Sequence, residues 1–479
     1  MRVIGLLGEA AFVYMGTFAL RWVALSEHSL SADEIFSWVV SHFSPAKIIA
    51  YLAQGNNPPL WELLLHLWRK VGGDSEAALR GLSVVWSAGA GAILYLLGRF
   101  TGGRIAGAVS AFCWAFSNLG QSLAHEARAY SLLAALVALS HFLFLKWIRT
   151  GRSFFLWILS LWLLLYTHYM GLWVALLQIG FLAFRGSQHR GQLWRSLQLL
   201  GVGLGFQALI VGDRLFHPSE VGYGSLTSWE GLYNMLWQFS NAPVPTVLAI
   251  GVMTIVTVYR FWKEGKLSWE IRYAYGSFLG IFLLLWGVSW LLRLWHARYA
   301  LPAAIGYYWV MGLSVGAFPR YARWVAGGLV GLAWIVSWRS DAVSYPPVFR
   351  EVGAWIERKP LRQPLIVSPS WQVLSLAYPL KEVSLQRELE AASDPFPIVS
   401  RRLYVSHRIL GANYWADLPP CEIQAADTLW WLDHDYCFDF PNGLLPDRLC
   451  EDFVPVRIYR FNAKVSLWMF VSRKSSAPL

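Results

Sequence analysis

Two adjacent carboxylates, Asp33 and Glu34, follow the first apolar segment of the chain in the stretch LSADEIFSWV. A carboxylate within hydrogen-bond reach of a hydroxyl group can take up its proton as a general base. The same pair can instead cap a helix, because aspartate accepts backbone N–H bonds and the helix dipole favours both charges. These two residues alone leave both interpretations open.

Side chains that could hold an anion or line a binding site occur in four further short clusters. Arginine stabilises a phosphate group through charge-assisted hydrogen bonds, and histidine can add a donor. Each arginine can equally be an interfacial anchor or the partner of an acid, and each histidine a structural residue. The residues are Asn57 in QGNNPPLW, His125, Glu126, Arg128 and Tyr130 in SLAHEARAYSLL, His168 in LYTHYMGLW, and His296 and Arg298 in LWHARYALPA.

The elements that must position these residues are predicted to be membrane-spanning helices. Of the 479 residues, 56% are hydrophobic and only 14% are charged, which excludes an ordinary soluble domain. A helix needs roughly 20 apolar residues to cross about 30 Å of hydrocarbon. About eleven spans are predicted, at 5–25, 82–98, 106–122, 128–146, 154–167, 170–184, 196–212, 246–262, 273–292, 300–317 and 324–338.

The distribution of lysine and arginine predicts how these spans are oriented. With Arg2 inside, the inner connections carry more Lys and Arg residues than the longer outer connections do. We therefore expect a cytoplasmic N-terminus and a C-terminus on the outer side, and the net charge of +11 reflects this topology rather than nucleic-acid binding. All five polar clusters then lie at the outer face, where together they could form one pocket. Glu9 lies near the inner end of the first span, where an acid either snorkels or has a function.

Two outer regions are large enough to form structure of their own. The first outer loop, residues 26–81, contains three amphipathic segments that are too short to span and are predicted to be interfacial helices. Residues 339–479 are predicted to form a small extracytoplasmic α/β domain, with VFREVGAWIERK as a helix and QPLIVSPS as a buried strand. Residues 1–338 are assigned to the transmembrane module.

Five short motifs follow one another in a distinctive order over roughly residues 1–315. They are ADE after the first span, NNPPLW in the first loop, HEARAYSLL at the start of the fourth span, then YTHY and RYALP. This order resembles membrane glycosyltransferases of the GT-C superfold, in particular the group of bacterial protein O-mannosyltransferases and the aminoarabinose transferase of lipid A (glycosyltransferase family 39). The sequence departs from that group at Asn57, where His is usual, and in HEAR, where Gln commonly precedes Glu.

The resemblance implies an inverting glycosyltransferase that uses a polyprenyl-phosphate-linked donor. Such an enzyme would move a sugar, mannose or another hexose or pentose, to a hydroxyl acceptor at the outer face of the membrane. Asp33 is expected to be the general base. Glu34 is expected to orient Asp33 or the acceptor, or to cap its helix.

The resemblance also implies roles for the basic clusters. Arg128 and Arg298 are expected to stabilise the departing phosphate, with His168 as a further donor and Glu126 holding an arginine in place. The acceptor could be a protein, a glycolipid or a glycan, and the membrane is expected to be the bacterial inner membrane. The residues expected to line the acceptor or substrate are Asn57, His125, Tyr130 and His296.

No cofactor is firmly implied by the sequence, although a divalent cation stays possible. Related oligosaccharyltransferases use such an ion, whereas the protein mannosyltransferase branch needs none, and no compact set of oxygen ligands is apparent beyond Asp33 and Glu34. One disulfide among the cysteines of the C-terminal region is plausible in an oxidising compartment. These cysteines are Cys421, Cys437 and Cys450.

Two other functional classes fit part of the sequence. A polytopic lipid or solute transporter, including a flippase, would also need many spans, but it usually carries repeated halves and polar groups near the bilayer midplane. Neither feature is visible here. A non-catalytic scaffold related to the enzymes is the third class, and the presence of Asp33, Arg128 and Arg298 argues against it.

Overall fold

The computed structural model divides the chain into two compact units, residues 1–25 with 43–344 and residues 26–42 with 345–479. The second unit therefore takes residues 26–42 from the predicted transmembrane module. The residues that the structure describes are 2–53, 57–185, 190–216, 227–265, 267–292, 294–340, 348–358, 365–368, 378–379, 403–405, 427–434, 453–461 and 465–473.

The first unit is helical, and all eleven predicted apolar segments fall on its helices. By length and composition, four helical segments are long and apolar enough to cross a bilayer: Glu76–Ala115, Tyr130–Thr150, Pro243–Glu264 and the continuous run Trp269–Val288. Shorter apolar helices are Phe154–Thr167, Gly171–Phe184 and Leu301–Ala317. The helices are α1 Arg2–Trp22, α3 Pro45–Ala53, α4 Leu60–Gly72, α5 Glu76–Ala115, α6 Asn118–Ala124, α7 Tyr130–Thr150, α8 Phe154–Thr167, α9 Gly171–Phe184, α10 Arg190–Phe216, α11 Trp229–Phe239, α12 Pro243–Glu264, α13 Trp269–Tyr275, a π-helical turn Gly276–Gly280, α14 Ile281–Val288, α15 Leu301–Ala317 and α16 Arg320–Ser337; α2, Ala32–Val40, belongs to the second unit.

The long helix α5 is a hairpin of two helical segments rather than one rod. Gly103 interrupts it with φ 87°, a left-handed conformation that glycine adopts without a Cβ penalty. The two segments pack so closely that a Cβ on Gly98 would lie 2.8 Å from the Ala106 carbonyl oxygen. This hairpin corresponds to the second and third predicted spans, although the second segment ends at Ala115 and Ser117 caps a new helix, α6.

The core of the first unit lies where α5, α7 and α15 pack together. Helix α15 is buried along nearly all of its length, as expected for a helix that is apolar on every side. Both α7 and α15 begin at one end of this core, and α5 turns at Gly103 at the other. We call these the site end and the turn end, and a helix of about 20 residues separates them by roughly 30 Å.

The second unit contains a five-stranded mixed sheet with the strand order β2-β1-β3-β5-β4. Strand β1 pairs in parallel with β2 and β3, whereas β5 pairs antiparallel with β3 and β4. A helix and a strand are present in the two predicted segments, and Leu365 of the strand is buried. The three C-terminal cysteines lie outside the described residues. The elements are α17 Phe349–Arg358, β1 Leu365–Ser368, β2 Leu403–Val405, β3 Thr428–His434, β4 Phe453–Arg460 and β5 Val465–Ser472.

Candidate active site

The link between α6 and α7, residues 125–129, is held in place by donors from two other helices. Ser83 on α5 donates its hydroxyl to the Glu126 carbonyl oxygen at 2.6 Å, and the Trp61 indole on α4 donates to the Ala127 carbonyl oxygen at 3.1 Å. The Arg128 N–H donates to the same Glu126 carbonyl at 2.7 Å. These bonds satisfy buried carbonyl groups and fix the position from which Arg128 projects.

Arg128 faces an acid that the sequence analysis did not single out. Its Nη1 lies 3.9 Å from Oε1 of Glu62, and the Glu62 side chain is only 2% exposed. A buried carboxylate needs a nearby cation or hydrogen-bond donors, because its desolvation is costly. Glu62 therefore holds the Arg128 guanidinium at the site end of the first unit.

Arg298 comes from the link before α15 and reaches the same segment of chain. Its Nη2 lies 3.9 Å from Oε1 of Glu126, which is the arginine pairing expected for Glu126. The Arg298 guanidinium also lies 5.5 Å from the centre of the Tyr130 ring, in the range of a cation–π contact. Arg298 is more exposed than Arg128, with 30% of its side chain accessible.

His168 lies in the turn between α8 and α9, and its ring packs near two tyrosine rings. Its ring lies 5.6 Å from that of Tyr130 and 5.8 Å from that of Tyr299. The Met170 N–H donates to His168 Nδ1 at 3.2 Å, so the neutral ring carries its proton on Nε2. We call the set Glu62, Glu126, Arg128, Tyr130, His168 and Arg298 the arginine cluster.

The environment of His168 keeps its imidazole neutral. Burial, together with the positive charges of Arg128 and Arg298, lowers the pKa of His168 from 6.5 to about 4. A neutral Nε2–H donor near two cations suits an anionic ligand.

An apolar groove lies between α4, which carries Glu62, and α8, which leads to His168. It encloses about 200 Å³ and has an entirely apolar lining. Leu60 and Leu63 flank Glu62 on α4, and Tyr166 precedes His168 by two residues on α8. The other lining residues are Pro59, Leu159, Trp162 and Leu163.

Asp33 and Glu34 lie in the first turn of α2, in the second unit. Ser31 and Glu34 form a reciprocal capping box, in which the Ser31 N–H donates to Glu34 Oε2 at 2.8 Å and the Glu34 N–H donates to Ser31 Oγ at 3.4 Å. The capping role considered for Glu34 is therefore present. Asp33 is exposed, and its role as a base stays a prediction.

His125 and Arg21 form hydrogen bonds at the start of the link between α6 and α7. His125 is 3% exposed, and its Nε2 lies 3.0 Å from the Arg21 carbonyl oxygen and 2.9 Å from Nε2 of Gln121. Arg21 is fully buried, and its guanidinium donates to Gln121 Oε1 at 2.9 Å and to the Ser117 carbonyl at 3.2 Å. These contacts give His125 a structural role, so its expected place in the substrate lining has no support from its geometry.

The two remaining predicted lining residues lie in the first unit. Asn57 is half-buried just before the double proline that precedes α4, as expected for prolines that permit a helix start. His296 accepts the Arg298 N–H on Nδ1 at 3.3 Å, and its ring lies 5.9 Å from that of Tyr299. His296 thus shapes the link that carries Arg298.

Sequence reasoning missed Glu62, Arg21 and Tyr299. An acid in the first turn of an amphipathic helix is usually an exposed residue favoured by the helix dipole. For that reason the sequence pattern did not distinguish Glu62 from an ordinary surface acid. Its one sequence signal was its place directly after PPLW in an otherwise apolar stretch. Among the described residues, no group of three or more His, Cys, Asp or Glu side chains is arranged to hold a metal ion.

Comparison with known protein families supports the resemblance seen in the motifs. Residues 56–212 match the family model described as dolichyl-phosphate-mannose-protein mannosyltransferase, and this segment contains Glu62, Glu126, Arg128 and His168. The resemblance to this family is confirmed over that segment. No curated protein sequence matches the chain with statistical significance.

Comparison with solved structures identifies the fold. ArnT from Cupriavidus metallidurans in the apo state is 11% identical over 100% of this chain and 99% of its own, with a TM-score of 0.60. The same protein bound to undecaprenyl phosphate matches over the same shares at 11% identity with a TM-score of 0.56. The archaeal oligosaccharyltransferase AglB from Archaeoglobus fulgidus, in complex with an inhibitory peptide and a dolichol-phosphate, is 11% identical over 100% of this chain and 75% of its own, with a TM-score of 0.55. The fold is therefore that of polytopic GT-C membrane proteins.

Proposed function

We propose that this protein is an inverting glycosyltransferase that takes a sugar from a polyprenyl-phosphate donor and passes it to a hydroxyl acceptor outside the cytoplasm. The observation that carries the proposal is that Arg298 pairs with Glu126 in the link that carries Arg128, and lies over the Tyr130 ring, which also packs against His168. These residues lie far apart in the chain. Their convergence provides several N–H donors for a phosphate at one place.

The apolar groove between α4 and α8 supports a donor that is a lipid. A polyprenyl phosphate has an anionic head and a long hydrocarbon tail, and the arginine cluster and the groove offer one environment for each. Soluble nucleotide sugars would have no use for an uncharged groove beside their phosphate site. The solved ArnT complex with undecaprenyl phosphate and the AglB complex with a dolichol-phosphate favour the same donor class.

The proposed reaction is a single displacement at the anomeric carbon. The acceptor oxygen forms a bond to that carbon while the bond to the phosphate oxygen breaks, and the configuration inverts. Asp33 takes the proton of the acceptor hydroxyl as its general base. The leaving polyprenyl phosphate gains a negative charge, which Arg128 and Arg298 stabilise and the Nε2–H of His168 supports.

The proposed topology has the N-terminus in the cytoplasm and the site end on the outer side of a bacterial inner membrane. About eleven spans, interfacial helices in the first outer loop and an extracytoplasmic C-terminal α/β unit complete it. The excess of Lys and Arg in the connections assigned to the inside supports this orientation. Residues 1–338, which include the first outer loop at 26–81, would then form the catalytic module.

The experiment that tests the function is sugar transfer in proteoliposomes. Purified protein is supplied with polyprenyl-phosphate sugars and with lipid, glycan and peptide acceptors, and the glycosylated product is measured. We expect transfer by the native protein and a loss of about 1,000-fold in turnover for Asp33→Asn, because a general base contributes roughly 100- to 10,000-fold. Donor binding should be retained in that variant.

The matched control is Asp74→Asn, which removes another carboxylate from the first outer loop, where Asp74 pairs with Arg69. It should leave turnover unchanged. Full turnover by Asp33→Asn would remove Asp33 as the base. A native protein that moves lipid across the bilayer without transferring sugar would replace the proposal with the transporter class.

A further inference from the structure

A second polar pocket lies at the turn end of the first unit, away from the arginine cluster. It has a volume of about 120 Å³ and lies between the ends of α7, α12 and α15 and the start of α13. Since α7 and α15 both run from the site end to this pocket, roughly 30 Å separate the two sites. The proposed transfer reaction uses none of the residues that line it.

The pocket carries two arginines and one acid. Arg149 donates to Glu270 at 3.2 Å and to the Phe100 carbonyl oxygen at 2.7 Å, which uses two of its five N–H donors within the described residues. Arg260 lines the same pocket, and within the described ranges no carboxylate pairs with it. The pocket therefore has a surplus of one positive charge.

Thr257, one turn before Arg260 on α12, contacts the hydroxyl of Tyr275 on α13. The two hydroxyl oxygens are 2.6 Å apart, and each lies within hydrogen-bond distance of the Met253 carbonyl oxygen, at 2.7 Å for Thr257 and 3.3 Å for Tyr275. This pair ties α12 to the end of α13. On the opposite wall Ser268 accepts the Ile271 N–H at 3.4 Å, so its own O–H can point to an anion.

The apolar surface next to the pocket indicates a lipid rather than a soluble anion. Val256, Ile271 and Leu313 form part of the pocket wall. Elsewhere on α12, large hydrophobic side chains such as Val258 and Trp262 are exposed by 62% and 83%. The apolar part of the pocket wall could contact the first carbons of a hydrocarbon chain whose head group the pocket holds.

We propose that this pocket binds the phosphate group of an anionic membrane lipid, with Arg260 and Arg149 as its main contacts. Charge-assisted hydrogen bonds from two guanidiniums to one phosphate are strong and geometrically specific. The ordinary alternative is that Arg260 only anchors its helix in the headgroup layer, without a specific ligand. The proposal is independent of the transfer reaction, because it concerns the opposite end of the helices.

The test is lipid binding by the full-length protein in detergent, followed by native mass spectrometry and by the thermal midpoint. Phosphatidylglycerol is the anionic probe, phosphatidylcholine the zwitterionic probe and inorganic phosphate the soluble one. We expect phosphatidylglycerol to bind and to raise the midpoint, and Arg260→Gln to weaken that binding by about tenfold. Glu270→Gln should have the opposite effect, because it removes the negative charge from the pocket.

The matched control is Arg152→Gln, an exposed arginine close to Arg149 in sequence that does not line the pocket. This variant loses the same charge and should bind phosphatidylglycerol as the native protein does. Equal binding by Arg260→Gln and Arg152→Gln would overturn the proposal in favour of general surface attraction. Binding of inorganic phosphate that phosphatidylglycerol does not displace would overturn the assignment to a lipid.

Discussion

The two ends of the first unit hold their acids and arginines in different ways. At the turn end, Glu9 on α1 is 2.5 Å from Arg99 and 3.0 Å from Arg104, and it also accepts a hydrogen bond from Tyr95. At the site end, the Arg128–Glu62 and Arg298–Glu126 pairs are each 3.9 Å apart. The close contacts of Glu9 join helices, whereas Glu62 and Glu126 hold the two guanidiniums of the arginine cluster at a longer distance.

The surroundings of the acid–arginine pairs also differ between the two ends of the first unit. Glu9 connects α1 to both sides of the Gly103 turn, a contact that stabilises the hairpin. Arg128 and Arg298 instead project from links between helices, and Arg298 lies over the Tyr130 ring, which packs against His168. The difference supports a structural role for the turn-end acid and agrees with the proposed phosphate-binding role of the arginine cluster.

Among substitutions in the first unit, the largest expected effect is that of Arg128→Gln on turnover. Loss of a donor that stabilises the charge of the leaving phosphate typically lowers kcat by about 100- to 1,000-fold. The control is Arg99→Gln at the turn end, which removes an arginine from the Glu9 contacts. It should lower the thermal midpoint and leave turnover per folded molecule unchanged. Similar activity losses in both variants would remove the distinction between the two ends.

Arg298→Lys should have a smaller effect. Lysine keeps the positive charge but loses the planar fork and weakens the contact with the Tyr130 ring. We expect turnover to fall by about tenfold. Steady-state kinetics of Arg298→Lys and Arg298→Gln, measured side by side, would show whether Arg298 acts through geometry or through charge alone. Native turnover in Arg298→Lys, with loss in Arg298→Gln, would leave charge as its only contribution.

The pKa of His168 should report whether an anion occupies the arginine cluster. In the free protein its pKa of about 4 lies below the ordinary 6.5. A bound phosphate would offset the two guanidiniums and raise that pKa, which NMR titration of labelled histidine can measure with and without a polyprenyl phosphate. An identical pKa in both states would place the phosphate elsewhere.

The same shift predicts a pH dependence of stability. Because the unfolded protein takes up the proton first, the contribution of His168 is complete above about pH 6.5 and is lost as the pH falls towards 4. His168→Gln should remove that part of the acid sensitivity, as measured by the thermal midpoint between pH 7 and 4. An unchanged pH dependence in the variant would contradict the low pKa.

The smallest expected effect on turnover is that of Glu9→Gln. The substitution keeps the shape of the side chain but removes the charge that holds Arg99 and Arg104. The thermal midpoint should fall, and turnover per folded molecule should stay at the native level. A large loss of turnover without a change in the midpoint would give Glu9 a functional role instead.

The sequence predicted local elements well because apolar runs and proline positions act locally. The predicted segments fall on helices, Pro58 and Pro59 precede α4, and the capping alternative appears for Glu34, in a box with Ser31. The third predicted span ran past Ala115, because its limits followed overall hydrophobicity, whereas Ser117 caps a new helix, α6. The polar pair Ser117 and Asn118 was the local signal of that break.

The candidate site was predicted in part, since its residues are distant in the chain. The motifs identified Arg128, Arg298, His168 and Glu126, but they could not show that Arg298 pairs with Glu126. Glu62 and Arg21 escaped notice because their burial depends on residues 66 to 100 positions away. Only tertiary packing distinguishes a buried acid from an exposed one in the first turn of a helix.

The most direct test of the account is the equilibrium affinity of a polyprenyl phosphate for the purified protein and for the double variant Arg128→Gln, Arg298→Gln. The control, Arg69→Gln, removes an arginine from the far end of α4. We predict that the double variant binds the lipid phosphate about 100-fold more weakly and that the control binds it as the native protein does. Equal affinity in all three proteins would contradict the assignment of the arginine cluster as the phosphate site.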